Sequence, residues 1–277
     1  MRNIRLAVLA AVGTALVGLS AQPAAAQDRH GQRDWCDNDW DNDRARLCEE
    51  RVTTIDADGS MVRVDGGMNG GISIEGWDRD EIQITARVQA MARDDDRAEE
   101  ILNEIRVVTD GGTIRAEGPR SRFRGRRENW AVSFQLMVPN RSDVDLEANN
   151  GGISVVDVEG DLRMETRNGG VSLLRVAGDV RARTTNGGLH IELDGDGWSG
   201  AGLDAVTTNG GVDMEIPADY NAELETRTVN GGLEIDFPIT VQGRIGGRNS
   251  TLNTTLGDGG PTVKAVTTNG GVRIRRS

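Results

Sequence analysis

Asn-Gly-Gly occurs seven times, at Asn69, Asn150, Asn168, Asn186, Asn209, Asn230 and Asn269. From Asn150 the copies follow at steps of 18, 18, 23, 21 and 39 residues, the last close to two periods. A recurring unit of this size marks a repeat architecture, in which each unit buries its apolar face against its neighbours.

The flanks repeat with the turn. Six residues before the Asn stand Val144, Leu162, Val180, Leu203, Leu224 and Val263, and two before it Ala148, Thr166, Thr184, Thr207, Thr228 and Thr267. Three residues after it stand Ile153, Val171, Leu189, Val212, Leu233 and Val272, and five after it Val155, Leu173, Ile191, Met214, Ile235 and Ile274. This alternation with period two predicts a strand on each side of the turn, with one face buried. The expected fold class is all-β. Like residues at like phase favour a single-stranded β-solenoid with coils of 18–23 residues over residues 146–277. Asn-Gly is also a strong hairpin signal, so an antiparallel meander or sandwich is the alternative.

Residues 51–145 read as an irregular first β layer. Ile72-Ser73-Ile74, Ile82-Gln83-Ile84, Val107-Val108 and Val132-Ser133-Phe134 read as strands. A helix is expected near 93–105, because Asp94, Asp95 and Asp96 suit the positive end of its dipole. Ile101, Leu102 and Ile105 supply its apolar stripe.

Residues 1–26 have the form of a secretory signal: Arg2 and Arg5, an apolar run from Leu6 to Leu19, then Ala24-Ala25-Ala26. The run is shorter than the ~20 residues a membrane span needs. The expectation is an exported protein of the periplasm, cell surface or extracellular space, without a transmembrane anchor once processed. Residues 27–50 form an acidic segment holding both cysteines. In an oxidising compartment, Cys36 and Cys48 are expected to form a disulfide. A loop that short would gain roughly 3 kcal/mol in the chain-entropy model.

Charge narrows the function. The 277-residue chain carries 44 Asp+Glu against 32 Lys+Arg, a formal charge of -12, which argues against a nucleic-acid binder. Only 2 histidines are present, which disfavours sites built from several of them.

The Gly76-Trp77-Asp78-Arg79-Asp80 segment, the strand end Val138-Pro139, the Thr-x-Asn-Gly-Gly repeats and the closing Thr267-Thr268-Asn269-Gly270-Gly271-Val272 carry a resemblance. Over roughly residues 50–277 the chain resembles the bacterial "putative adhesin" family of β-strand-repeat proteins of unknown function. That family is related to the β-domain of Lia-type envelope-stress proteins. The resemblance implies an extracytoplasmic β-solenoid with an adhesion or envelope-stress role, and supplies no catalytic residues.

No catalytic residue, metal site or cofactor is expected. Four residues after the Asn stand Ser154, Ser172, His190, Asp213 and Glu234, which would bring Ser172, His190 and Asp213 onto adjacent coils. A regular strand face offers neither a nucleophile elbow nor an oxyanion hole, so this is read as a solvent-facing column. No carboxylate pair is singled out at the separation that glycoside hydrolysis requires. Asp37, Asp39, Asp41 and Asp43 alternate like a calcium loop, but Asn42 and Cys48 stand where it needs Gly and Glu.

Two features could bind partners. Arg120, Arg122, Arg124, Arg126 and Arg127 form a basic cluster in an acidic chain, suited to anions or a protein partner, or simply an exposed loop. Trp130 and Trp198 are candidate recognition aromatics; Trp198 could instead cap the core where one period lengthens to 23. The expected function is a non-enzymatic adhesin-like module or scaffold contacting an envelope glycan, an anionic polymer or an envelope protein. An envelope-stress component binding an anionic ligand or regulatory partner is the alternative, with a carbohydrate-active enzyme behind both.

Overall fold

The computed structural model describes Cys36 and residues 44–110, 112–119, 128–236, 242–244 and 249–277, with backbone alone at 242–244. The chain divides into two compact units, Met1–Asp39 and Trp40–Ser277. All the strands and the helix belong to the second. The signal-like residues 1–26 and the Asp37–Asp43 alternation lie outside the described residues. Cys36 and Cys48 are disulfide-bonded.

Each Asn-Gly-Gly joins a strand of one sheet to a strand of the other. Among the described residues the two sheets have ten and eleven strands. Pairing between coils is parallel and in register. Leu162 lies between Val144 and Val180 in one sheet, and Leu173 between Val155 and Ile191 in the other. All six side chains are buried. Like therefore stacks on like, and each fully buried Val, Leu or Ile contributes roughly 1.5–3 kcal/mol. This is the β-solenoid, not the meander or sandwich.

Antiparallel pairing is confined to the two ends of the stack. At one end Ala45–Asp56 and Asn129–Pro139 flank Glu81–Ala92, and Arg106–Asp110 pairs with Thr113–Glu117. At the other, Ala222–Asn230 pairs with Ser250–Leu256. The Asn69 turn is itself a rung: Val62–Asp65 and Ile72–Trp77 pair with the two strands of the Asn150 coil. The strands between the Asn69 and Asn150 turns add to the outer side of that rung. The expected helix runs Asp95–Glu104. Asp94 caps it, accepting from the Arg97 backbone N–H at 2.9 Å. It buries Ala98 and Ile101.

The order of coils departs from the order in sequence. The Asn269 coil lies between the Asn209 and Asn230 coils, not beyond the latter. Thr262–Asn269 pairs with Gly202–Asn209 on one side and Ala222–Asn230 on the other. The residue columns therefore change at that end. Lys264 stands between Asp204 and Glu225, and Arg273 between Asp213 and Glu234. The expected step from Asp213 directly to Glu234 is corrected accordingly.

Candidate functional site

The turns are built around two hydrogen-bond ladders. Asn168, Asn186, Asn209 and Asn269 each donate a side-chain amide to Oδ1 of the asparagine on the preceding coil, at 2.8 Å. Asn230 donates to Asn269 at 2.9 Å, and Asn150 to Asn69 at 3.2 Å. An amide has both a donor and an acceptor, so it can repeat this way indefinitely. Just inside, Thr166, Thr184, Thr207, Thr267 and Thr228 donate their hydroxyls to Gly151, Gly169, Gly187, Gly210 and Gly270 carbonyls at 2.7–2.8 Å. These threonines are buried, and the bond satisfies a hydroxyl that would otherwise be costly there.

The two glycines of each turn do different things. A Cβ on Gly210 would run into the carbonyl of Gly187 on the preceding coil, so that position demands glycine for stacking. A Cβ on Gly211 would meet nothing nearer than the Gly271 carbonyl oxygen at 3.4 Å. Gly211 has no positive φ and is exposed. Its equivalents Gly152, Gly170, Gly188 and Gly271 have 3.2–3.4 Å to the neighbouring carbonyl oxygen and Gly232 has nothing within 4 Å; none has a positive φ and all are exposed.

These second glycines floor a shallow trough of about 910 Å3 that crosses the strands along the stack. Beside apolar residues such as Val171, Leu189 and Leu233, its polar side chains are Ser154, Ser172, His190, Asp213, Arg273 and Glu234, in that order, each paired in register with the next. Among the described residues no hydrogen bond joins Ser172, His190 and Asp213. The Asp213 carboxylate instead accepts from the Arg275 guanidinium at 2.7 Å. Arg275 also contacts Glu215 at 2.9 Å. Arg273 pairs with Glu234 at 3.0 Å. The set therefore lacks the hydrogen bonds of a hydrolytic triad.

Elsewhere the outward columns are locally neutralised. Arg163 and Arg181 face each other in register, yet each is paired two residues back, with Asp161 at 2.6 Å and Asp179 at 2.8 Å. At the opposite corner Arg175 grips Asp157 through two bonds of 2.7 and 2.8 Å. Its guanidinium holds the Asp157 carboxyl below the usual carboxylate range. Tyr220 is pushed up to about 12, first by burial and then by Asp194 and Asp196.

Of the other expected residues, Arg120, Arg122, Arg124, Arg126 and Arg127 lie outside the described residues. Trp198 is only 6% exposed and its indole N–H donates to the Gly178 carbonyl at 3.1 Å. A ring so enclosed fills the lengthened coil, so of the two expectations for Trp198 the structure places it in the core. Trp130 is half-buried and donates to the Pro119 carbonyl at 3.1 Å. It lines a cleft with Arg97 and Glu128 beside the helix. Sequence reasoning missed Arg273, although it stands four residues after Asn269 and so has the phase of this column; the order of coils hides only that its neighbours are Asp213 and Glu234. The second glycines are visible in the motif, but their open outward side is not.

The family model for Toastrack DUF4097 matches residues 102–275. The chain belongs to this family. The match takes in the Toastrack coils from Asn150 to Asn269. A solved putative cell adhesion protein from Clostridium sporogenes is 11% identical, with a TM-score of 0.38, covering 83% of this chain and all of that one (100%). A putative adhesin from Bacteroides fragilis is 12% identical, TM-score 0.34, covering 82% and 97%. A putative lipid binding protein from Parabacteroides distasonis is 9% identical, TM-score 0.27, covering 81% and 96%. No curated protein matches the chain. Among the described residues, no helix is long and apolar enough to cross a membrane, and no group of His, Cys, Asp or Glu side chains is arranged to hold a metal ion.

Proposed function

We propose that the protein is an exported, non-enzymatic interaction module of the cell envelope, adhesin-like in its mode of contact. The single observation carrying this reading is the register of the coils. It turns one outward position per coil into a continuous row, so weak contacts to a long partner add through a shared geometry. The row has side chains that can bind but no directed nucleophile. Asp213 is engaged by Arg275 rather than by His190. The signal-like residues 1–26 support export.

The test is cosedimentation of the full mature chain with isolated cell-envelope material, alongside fractionation of cells that express it. Retention by the envelope pellet and recovery outside the cytoplasm support the reading. A chain that stays in the supernatant, or in the cytoplasm, defeats it.

A further inference from the structure

The trough carries more than a general surface for contact. We propose that it is a binding site for an uncharged glycan chain, lying along the stack and across the strands. This rests on the interaction-module reading and adds the chemistry of the occupant.

Shape points to a linear ligand. The trough of about 910 Å3 lies within the ~300–1,000 Å3 typical of ligand sites. Its side chains run over six coils, roughly 24 Å at the ~4.8 Å spacing of paired strands. An extended peptide gains affinity mainly from an open strand edge. Strands such as Val171–Leu174 and Leu189–Glu192 are paired on both sides, so the trough offers no such edge there.

Charge decides against a polyanion. Ser154 and Ser172 bring no charge, and the Asp213 carboxylate is already paired with Arg275. Arg273 is already paired with Glu234. Both arginines at the row are thus already engaged by carboxylates and offer a polyanion little grip, whereas sugar hydroxyls both donate and accept. They match a row of hydroxyl, imidazole and carboxylate groups set one strand apart.

The floor supports the same occupant. Gly211 and its equivalents lack the close contact that forces glycine at Gly210. None of them has the positive φ that favours glycine. Yet the second position is glycine in all seven turns. Without side chains the floor presents Cα–H groups and peptide planes, a flat surface for the apolar face of a sugar ring. No Trp, Tyr or Phe ring is among the described residues lining the trough, so each sugar contributes little and affinity grows with chain length.

The experiment is titration of the full mature chain with N-acetylchitohexaose, maltohexaose and a polyphosphate of similar length, read by calorimetry and by the His190 ring resonances. A neutral hexaose should bind saturably, shift His190, and bind at least about tenfold more tightly than its disaccharide. Gly211→Phe, which fills the trough from a position with room for a Cβ, should weaken binding at least about tenfold. If that variant does not fold, Ser172→Ala with His190→Ala gives the same reading. The proposal is overturned if neither hexaose binds, if polyphosphate binds in their place, or if binding survives in the folded variants. Envelope retention without hexaose binding would remove the glycan and leave the module standing; loss of both would remove both.

Discussion

The side-chain amide of Asn186 donates to Oδ1 of Asn168, eighteen residues earlier, at 2.8 Å. That bond is one link in a chain of identical amides that runs from Asn230 to Asn69. Replacing a middle link removes a donor and an acceptor together. Asn186→Ala should cost about 1–2 kcal/mol, read as a lower urea midpoint with unchanged m-value.

The ladder also predicts a pH response that the parent protein lacks. In Asn186→Asp, a carboxylate would face the Asn168 acceptor with no proton to give; the protonated acid can donate. The folded-state pKa of Asp at this position is therefore raised above the unfolded value of about 3.9. The variant should be near parental stability below that value and lose stability as pH rises through the folded pKa. Urea midpoints from pH 3 to 7 check this; a flat difference from the parent would refute it.

The buried threonines offer a cleaner measure of one bond. Thr207 is fully buried and donates to the Gly187 carbonyl at 2.7 Å. Thr207→Val keeps the shape and strands the carbonyl, at a cost of about 1–3 kcal/mol. Its exposed neighbour Thr208 should tolerate Val within about 0.5 kcal/mol. Thermal melts of the two variants side by side decide the matter.

Adjacent glycines should behave oppositely. Gly210→Ala forces a Cβ into the Gly187 carbonyl, whereas Gly211→Ala has 3.4 Å to its nearest neighbour. The first should cost more than about 4 kcal/mol and the second about 1 kcal/mol or less. Soluble yield and melting temperature will separate them.

Much of the fold is legible from spacing. The inward columns, the turns, the helix and its Asp-rich start all follow from period and residue type. The order of the coils does not. Each coil offers both neighbours the same residues, so Asn269 satisfies the repeat equally well beyond Asn230 or beside Asn209. What excludes the first is Ser250–Leu256, which pairs with the outer side of Ala222–Asn230. Nothing periodic marks that strand. Lys264 and Arg273 have the phase of their columns in sequence, but which residues flank them surfaces only in three dimensions. Trp198 is ambiguous in sequence for another reason: an aromatic in a lengthened coil can close the core or leave it, and only the Gly178 carbonyl shows which.

The corner pair Asp157 and Arg175 predicts a small acid sensitivity. Because Arg175 depresses the Asp157 pKa, the pair stabilises the fold above the unfolded carboxyl pKa. That contribution is lost as pH falls through the folded value. Both side chains are more than a third exposed, 42% and 37%, so the effect should stay below about 1 kcal/mol. Arg175→Ala should flatten the acid limb of the stability curve by that amount and leave stability at high salt nearly unchanged.

The interposed Asn269 coil bears on how the chain can be assembled. Synthesis delivers residues 262–276 after both segments they must separate. The Asn209 and Asn230 rungs cannot settle against each other in the meantime without having to part again. The far end must therefore wait, its apolar columns uncovered, until a late wedge arrives between them. A protein whose near end can zip up rung by rung thus has a far end that can close only once its last coil has been made.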